Sequence, residues 1–375
     1  MKLFSWVPKV GMEPRALPHF FWLDVLRALA ALSVLLTHYY LLGSLHALPK
    51  GLVFPSYLTP RLPFYGLLGL FYNSGTAAVN LFWIISGFVF TSVYMKPGIA
   101  SAKTFLVNRF ARLYPLHFLT LIVVAVLQLV SLSMTGYFQI YTNNSLFTLI
   151  LNLFFASGWG IVPEFAYSFN GPIWSVSIEV VIYAVFFLSL RCLVRWGAFT
   201  ALFFAGIFAL LSLSPIPGIF WPCGLCFFVG CLIFFFWQRF SDVPFLLLLV
   251  GGLGAILGAW ARRTGGLLYG HGVWNDLLPF SALVLIATAL DLVDTRKIGA
   301  PFKIIGDLTY GIYLWHIPVT IAGILVMSSL KISRNIIFTK IFFFLYLSLI
   351  LAVSYVSFKF FELPLRNYIR KTWNS

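Results

Sequence analysis

The 375-residue chain is 61% hydrophobic and 19% aromatic, with 41 Phe, and only 9% of its residues are charged. No water-soluble fold of this length buries so much apolar surface, so the composition excludes a soluble enzyme or binding module and points to a polytopic membrane protein. The formal charge of +15 does not indicate nucleic acid, because the 25 Lys and Arg stand singly or in pairs between apolar runs instead of forming one basic patch.

The opening "MKLFSWVPKVGMEPRALPH" has no apolar stretch followed by a small-residue cleavage site, so no removable signal peptide is expected. Runs long enough to span, about 17 to 25 residues, follow near 20–42, 77–95, 113–135, 173–190, 197–213, 219–237, 244–261, 277–295, 308–330 and 341–361. A further run, "SLFTLILNLFFASG" at 145–158, is too short and reads as re-entrant or interfacial. With ten spans and an internal N-terminus, 17 of the 25 Lys and Arg fall on the cytoplasmic side and seven outside. That bias favours this topology. The expected fold is all-α: a transmembrane helical bundle of about ten spans with both termini cytoplasmic. Its expected parts are a cytoplasmic segment 1–19, a membrane domain 20–365 and a cytoplasmic tail 366–375. The longest loops, 43–76 and 136–172, fall outside, where a polar acceptor could be met.

Polar residues inside the runs carry the chemistry. In "FFWLDVLRALAALSVLLTHYYLLG", Arg27 and His38 are 11 positions apart, which places them on one helix face separated by about 16 Å of rise. Asp24 lies three residues before Arg27 and is a plausible partner for it. Arg27 and His38 are also consistent with side chains snorkelling to opposite surfaces. "NLFWIISGFVFTSVY" puts Ser86 and Gly87 in mid-span, where small residues serve either helix packing or a ligand. In "FLVNRFARLYPLHF", Arg109 and Arg112 share a face at the inner mouth, with His117 deeper; two guanidiniums there suit a phosphate-bearing ligand or lipid headgroups. "NGPIWSVSIEVVIY" starts a helix at Asn170 to Pro172 and carries Glu179 about six residues into the span. A carboxylate at such depth is a functional candidate by default. His316 in "GDLTYGIYLWHIPV" reads as a hydrogen-bonded structural histidine, and Glu362 with Arg366 in "FELPLRNYIRK" as a structural (i, i+4) ion pair. Cys223 and Cys226 have a zinc-like spacing in "FWPCGLCFFVGC", but no His or acidic residue accompanies them, and with Cys192 and Cys231 they read as membrane-core residues. No metal is expected.

Taken together, Arg27 and His38 with ten residues between them, "ISGFVFTSVY", the Arg-x-x-Arg of "NRFARLYP", "WSVSIEVVIY", "YGIYLWHIPV" and "FELPLR" resemble the acyltransferase type 3 family of membrane O-acyltransferases, from about residue 20 to 370. The resemblance implies transfer of an acyl group, usually acetyl, from cytoplasmic acyl-CoA (acetyl-CoA) to a hydroxyl of an extracytoplasmic glycan or glycolipid. It makes His38 the essential catalytic residue, Arg27 its companion and Glu179 an active-site acid. Arg109 and Arg112 become candidates for the CoA phosphates, with Ser86 counted among the donor-binding residues and Asp24, His316, Glu362 and Arg366 as support. In this chain "AVNLFWIISGF" carries Asn80 where many relatives have Asp or Gly. The partners implied are acyl-CoA, the acceptor and the bacterial inner-membrane bilayer, without nucleic acid.

An imidazole near the outer surface suits general base catalysis on the acceptor hydroxyl, or could itself receive the acyl group. Arg27 could stabilise a phosphate, a polarised carbonyl or Asp24. By depth, His38 and Glu179 both fall roughly 6 to 9 Å below the outer surface, so they can meet, and a donor held at the inner arginines could reach up one channel towards them. The competing reading is a transporter that uses the intramembrane Arg, His and Glu as a proton or substrate relay. Inverted repeats would favour it, and the sequence has none.

Overall fold

In hydrocarbon every backbone N–H and C=O must be satisfied within its own segment, so each long apolar run is expected to close as a helix. The computed structural model describes residues 19–43, 56–95, 101–162, 167–215, 218–264 and 272–374, and its regular elements are helices, with no strand among the described residues. In chain order these are α1 (Phe21–Tyr39), α2 (Tyr65–Tyr72), α3 (Gly75–Tyr94), α4 (Ala102–Thr135), α5 (Leu146–Leu153), α6 (Ile173–Trp196), α7 (Ala198–Leu213), α8 (Phe220–Phe240), α9 (Pro244–Thr264), α10 (Trp274–Val293), α11 (Lys303–Ser329), α12 (Lys340–Ser357) and α13 (Leu363–Asn374). The chain is an all-α, multi-pass membrane protein. Among the described residues nine helices are long and apolar enough to cross a membrane. The tenth expected span, α7, has 16 residues, about 24 Å, which is short of a hydrocarbon core of about 30 Å. The N-terminal segment up to residue 18 lies outside the described residues.

Three details differ from the sequence reading. Helix α4 begins at Ala102 rather than near 113 and runs for 34 residues, because Arg109 and Arg112 end the apolar window without ending the helix. The last span does not stop near 361: a π-helical turn, Phe358–Glu362, carries it into α13, so residues read as a tail are helical to Asn374. A helix, α2, stands within the stretch read as the 43–76 loop. The 145–158 run does form only a short helix, the eight-residue α5, whose start is fixed by a reciprocal cap between Ser145 and Thr148. It is too short to span.

The chain divides into two compact units. The first comprises Met1–Ala30, Thr76–Ser101 and Glu179–Asp307. Its centre is a close crossing of α3 and α8. A Cβ on Gly87 would lie 1.8 Å from the Phe227 carbonyl oxygen, and one on Gly230 would lie 2.0 Å from that of Ile84, so each glycine lets the other helix's backbone into contact. Cys231 Sγ donates to the Gly87 carbonyl at 3.6 Å in the same crossing. Rings fill the flanks: Phe90 stacks on Tyr183 at 4.2 Å, and Phe88 meets Phe234 edge-on at 5.6 Å. Gly251, Gly254 and Gly258 of α9 pack in the same manner on Ile286, Ala282 and Pro279 of α10.

The second unit comprises Ala31–Gly75, Ala102–Ile178 and Leu308–Ser375. Here side-chain hydrogen bonds to backbone carbonyls hold the helices. Tyr39 Oη donates to Ile337 at 2.7 Å, Tyr310 Oη to Leu113 at 2.9 Å and Tyr313 Oη to Pro172 at 2.7 Å. Pro318 in α11 has no N–H, so the Leu314 carbonyl one turn back loses its helical donor. Asn170 Nδ2 supplies the bond instead, at 2.9 Å. That contact ties the start of α6 to the middle of α11.

Candidate active site

His38 ends α1, and its Nδ1 lies 2.8 Å from the Val34 carbonyl oxygen one turn back. A carbonyl only accepts, so Nδ1 carries the proton and a neutral ring keeps its lone pair on Nε2. The side chain is half-buried. His316 of α11 repeats the arrangement, with Nδ1 3.3 Å from the Ile312 carbonyl, and its ring centroid is 5.0 Å from that of His38 at 47°. His316 is fully buried, and its Nε2 has no hydrogen-bond partner among the described residues. The sequence reading kept these two histidines apart, one as catalytic and one as support; in the second unit they are neighbours. His117 differs: Nε2 donates to the Asn152 carbonyl at 2.8 Å and the ring stacks on Phe155 at 4.3 Å, which anchors α4 to the C-terminal end of α5.

A charged cluster occupies another part of the same unit. Arg109 and Arg112 of α4 are half-buried, and α13 packs along this stretch, with Ile369 against Val107 and Ala111 and Trp373 stacked on Phe110 at 5.5 Å. The Arg112 guanidinium lies 5.8 Å from the Tyr310 ring centroid. Glu362, buried at the end of the π-helical turn, is in the electrostatic field of both Arg112 and Arg366. Neither Glu362 carboxylate oxygen has a hydrogen-bond partner among the described residues, so the (i, i+4) pair expected with Arg366 is not a hydrogen-bonded contact, and Arg112 of the Arg-x-x-Arg stretch acts on the same carboxylate through its field.

In the first unit, Arg27 Nη1 donates to Asp24 Oδ1 at 3.3 Å, the pairing read from their spacing. His19 Nε2 sits 2.6 Å from the other Asp24 oxygen. Trp22 N donates to both oxygens of Asp291 at 3.2 Å, and its Nε1 donates to Asp294. Ser86 is half-buried on α3, next to the Gly87 crossing. Glu179 is 8% exposed on α6, and the buried Cys223 lies in its electrostatic field. Asn80 donates to Asp276 at 2.9 Å in a buried pair whose acidic member the sequence reading missed. No group of three His, Cys, Asp or Glu able to hold a metal ion occurs among the described residues; Cys223, Cys226 and Cys231 are free and buried, whereas Cys192 is exposed.

Comparison with known proteins places these residues in a family. The model described as "Acyltransferase domain", Acyl_transf_3, matches residues 20–359. The chain belongs to this family. As an acyltransferase it is similar to the peptidoglycan O-acetyltransferase OatA of Listeria monocytogenes, 24% identical over 338 residues, covering 78% of this chain and 52% of the relative. It is also similar to the exopolysaccharide production protein ExoZ of Rhizobium meliloti, 28% identical over 269 residues, covering 66% of this chain and 77% of the relative. A shorter match joins it to the acyltransferase MdmB of Streptomyces mycarofaciens, 31% identical over 114 residues, or 30% and 27% of the two chains. The acyltransferase thus spans about half the length of the Listeria relative. No solved structure gives a significant match.

Proposed function

We propose that the chain is a bacterial inner-membrane O-acyltransferase that moves an acyl group, acetyl in the first instance, from cytoplasmic acyl-CoA to a hydroxyl of an extracytoplasmic glycan or glycolipid, with both termini cytoplasmic. The observation that carries it is the half-buried His38, whose Nδ1–H is committed to Val34. Its Nε2 lone pair is thereby left to accept the acceptor's hydroxyl proton. The alkoxide oxygen attacks the thioester carbonyl, the carbon–sulfur bond breaks, and the thiolate takes the proton from His38. Relatives named for acetylating peptidoglycan and producing exopolysaccharide support a glycan acceptor. Arg109 and Arg112 are proposed to meet the donor phosphates, and Ser86 is proposed as a further donor-binding residue. Arg27 and Glu179 are proposed as further contributors to catalysis, with Asp24 holding Arg27.

Membrane vesicles of known orientation, given labelled acetyl-CoA on one face, test the reading. Label is expected in alkali-labile ester linkage on glycan when acetyl-CoA is on the cytoplasmic face, and His38→Ala is expected to lower the rate at least about 100-fold with normal insertion. Ordinary turnover in His38→Ala would end the general base assignment. Donor use only from the outer face would overturn the orientation.

A further inference from the structure

His316 has a feature that packing does not require. Both it and His38 hold Nδ1–H against the carbonyl one turn back, so in the neutral state both rings carry their lone pair on Nε2. The ring centroids are 5.0 Å apart, a separation at which two ring nitrogens turned towards one another come within hydrogen-bonding range. His316 Nε2 has no hydrogen-bond partner among the described residues, so at rest the two nitrogens are not bonded: two facing lone pairs repel, whereas one proton between rings turned towards one another would be bound by both. Access divides the pair: His38 is half-buried and reachable, while His316 is fully buried and can be met only through a neighbour. Among the described residues, the phenols near His316 are those of Tyr313, whose ring is 6.1 Å away and whose Oη bonds Pro172 and Ser175, and of Tyr346, which bonds Thr320 one turn along α11. They carry no charge that would hold an imidazolium in place.

Resting on the acyl-transfer reading above, we propose that His316 is the proton partner of His38. When the acceptor O–H breaks and its oxygen bonds the acyl carbon, the proton passes to Nε2 of His38 and is shared with Nε2 of His316. When the carbon–sulfur bond of the acyl thioester breaks, the same proton returns through His38 to the thiolate. No proton or electron is gained overall. Sharing the charge over two rings lowers the cost of an imidazolium in a low-dielectric interior. His316 is thus a positioning and proton-holding residue that acts through His38 without touching substrate.

The test uses full-length wild type, His316→Phe and His316→Gln in everted vesicles from the producing host, with labelled acetyl-CoA and the vesicles' own glycan as acceptor. Phe keeps ring volume without nitrogen; Gln keeps a polar terminus without basicity. Both are expected to lower the saturated rate at least about 10-fold per folded molecule, with the KM for acetyl-CoA within about twofold. The acid limb of the rate against pH is expected to change from a two-group to a one-group dependence, because the coupled pair is reduced to one titrating imidazole. Wild-type rate in His316→Phe, a loss that only tracks the amount of folded protein, or an unchanged pH profile would overturn the proposal. Failure of the wild type to transfer label is a separate result: it removes the acyl-transfer reading itself, and this inference with it.

Discussion

The α3–α8 crossing of the first unit and the surroundings of α11 in the second answer the same membrane constraint in opposite ways. At the crossing, Gly87 and Gly230 bring two unbroken helices into backbone contact, and aromatic rings close the gaps. In α11 the helix runs on through Pro318, but the proline leaves one ladder hydrogen bond unmade, and a polar side chain from another element, Asn170, satisfies the open carbonyl. The first solution leaves no room for polar chemistry between the helices. The second requires buried polar groups and places them one turn from His316. A missing ladder bond that must be made good by a side chain thus also brings polar groups close to a buried imidazole.

The comparison breaks most sharply at Gly87. A Cβ at 1.8 Å from the Phe227 carbonyl cannot be relieved by moving a side chain, since the obstacle is backbone. Gly87→Val should therefore cost about 3 kcal/mol or more, seen as a large fall in melting temperature in detergent or as failure to accumulate. The neighbouring Ser86→Ala, which removes only a hydroxyl, should unfold near the wild-type temperature. Equal melting of Gly87→Val and wild type would show that the helices can separate freely.

A smaller effect is expected at Asn170. Asn170→Ala leaves the buried Leu314 carbonyl without a donor, at a cost of about 1 to 3 kcal/mol. The double variant with Pro318→Ala tests the reason. Restoring the N–H at position 318 lets α11 satisfy its own carbonyl, so the second substitution should recover part of the loss. No recovery would mean that Asn170 matters through its other contact, Thr120 Oγ1 at 3.3 Å.

Much of this was legible in the sequence, and the reasons are local. Apolar runs report helices because hydrocarbon permits little else, and Asp24–Arg27 is a three-residue spacing on one helix. His38 falls in the last turn of α1, as residue counting puts it, whereas Arg109, Arg112 and His117, counted from a span start near 113, lie well inside α4, which begins at Ala102. What counting could not supply were relations between elements distant in the chain: His38 beside His316, the field of Arg112 at Glu362, and the hydrogen bond of Asn80 to Asp276. Asn170 was read as a helix start, but its connection to the carbonyl left open by Pro318 needed the fold. Helix ends were misplaced where charge rather than backbone geometry closed the apolar window, as at Arg109 and beyond Glu362.

The smallest effect should appear where the first unit does use hydrogen bonds, at a helix end. Asp294 follows α10, and its carboxylate accepts from Ile298 N at 2.9 Å, Gly299 N at 3.0 Å and Trp22 Nε1 at 3.2 Å. The Gly299 and Ile298 amides, in that order, hold its pKa below the ordinary carboxylate value. A group whose folded pKa is depressed contributes stability above its unfolded value, about 3.9, and that contribution is lost as pH falls through the folded value. Asp294→Asn should therefore melt slightly below wild type at pH 7, and the gap should narrow as pH falls below about 4. The exposed position screens the charge, so the difference should be far smaller than at Gly87 or Asn170. A gap that stays constant down to low pH would assign the effect to the shape of the loop and the Trp22 contact, leaving the ionised carboxylate no part in it.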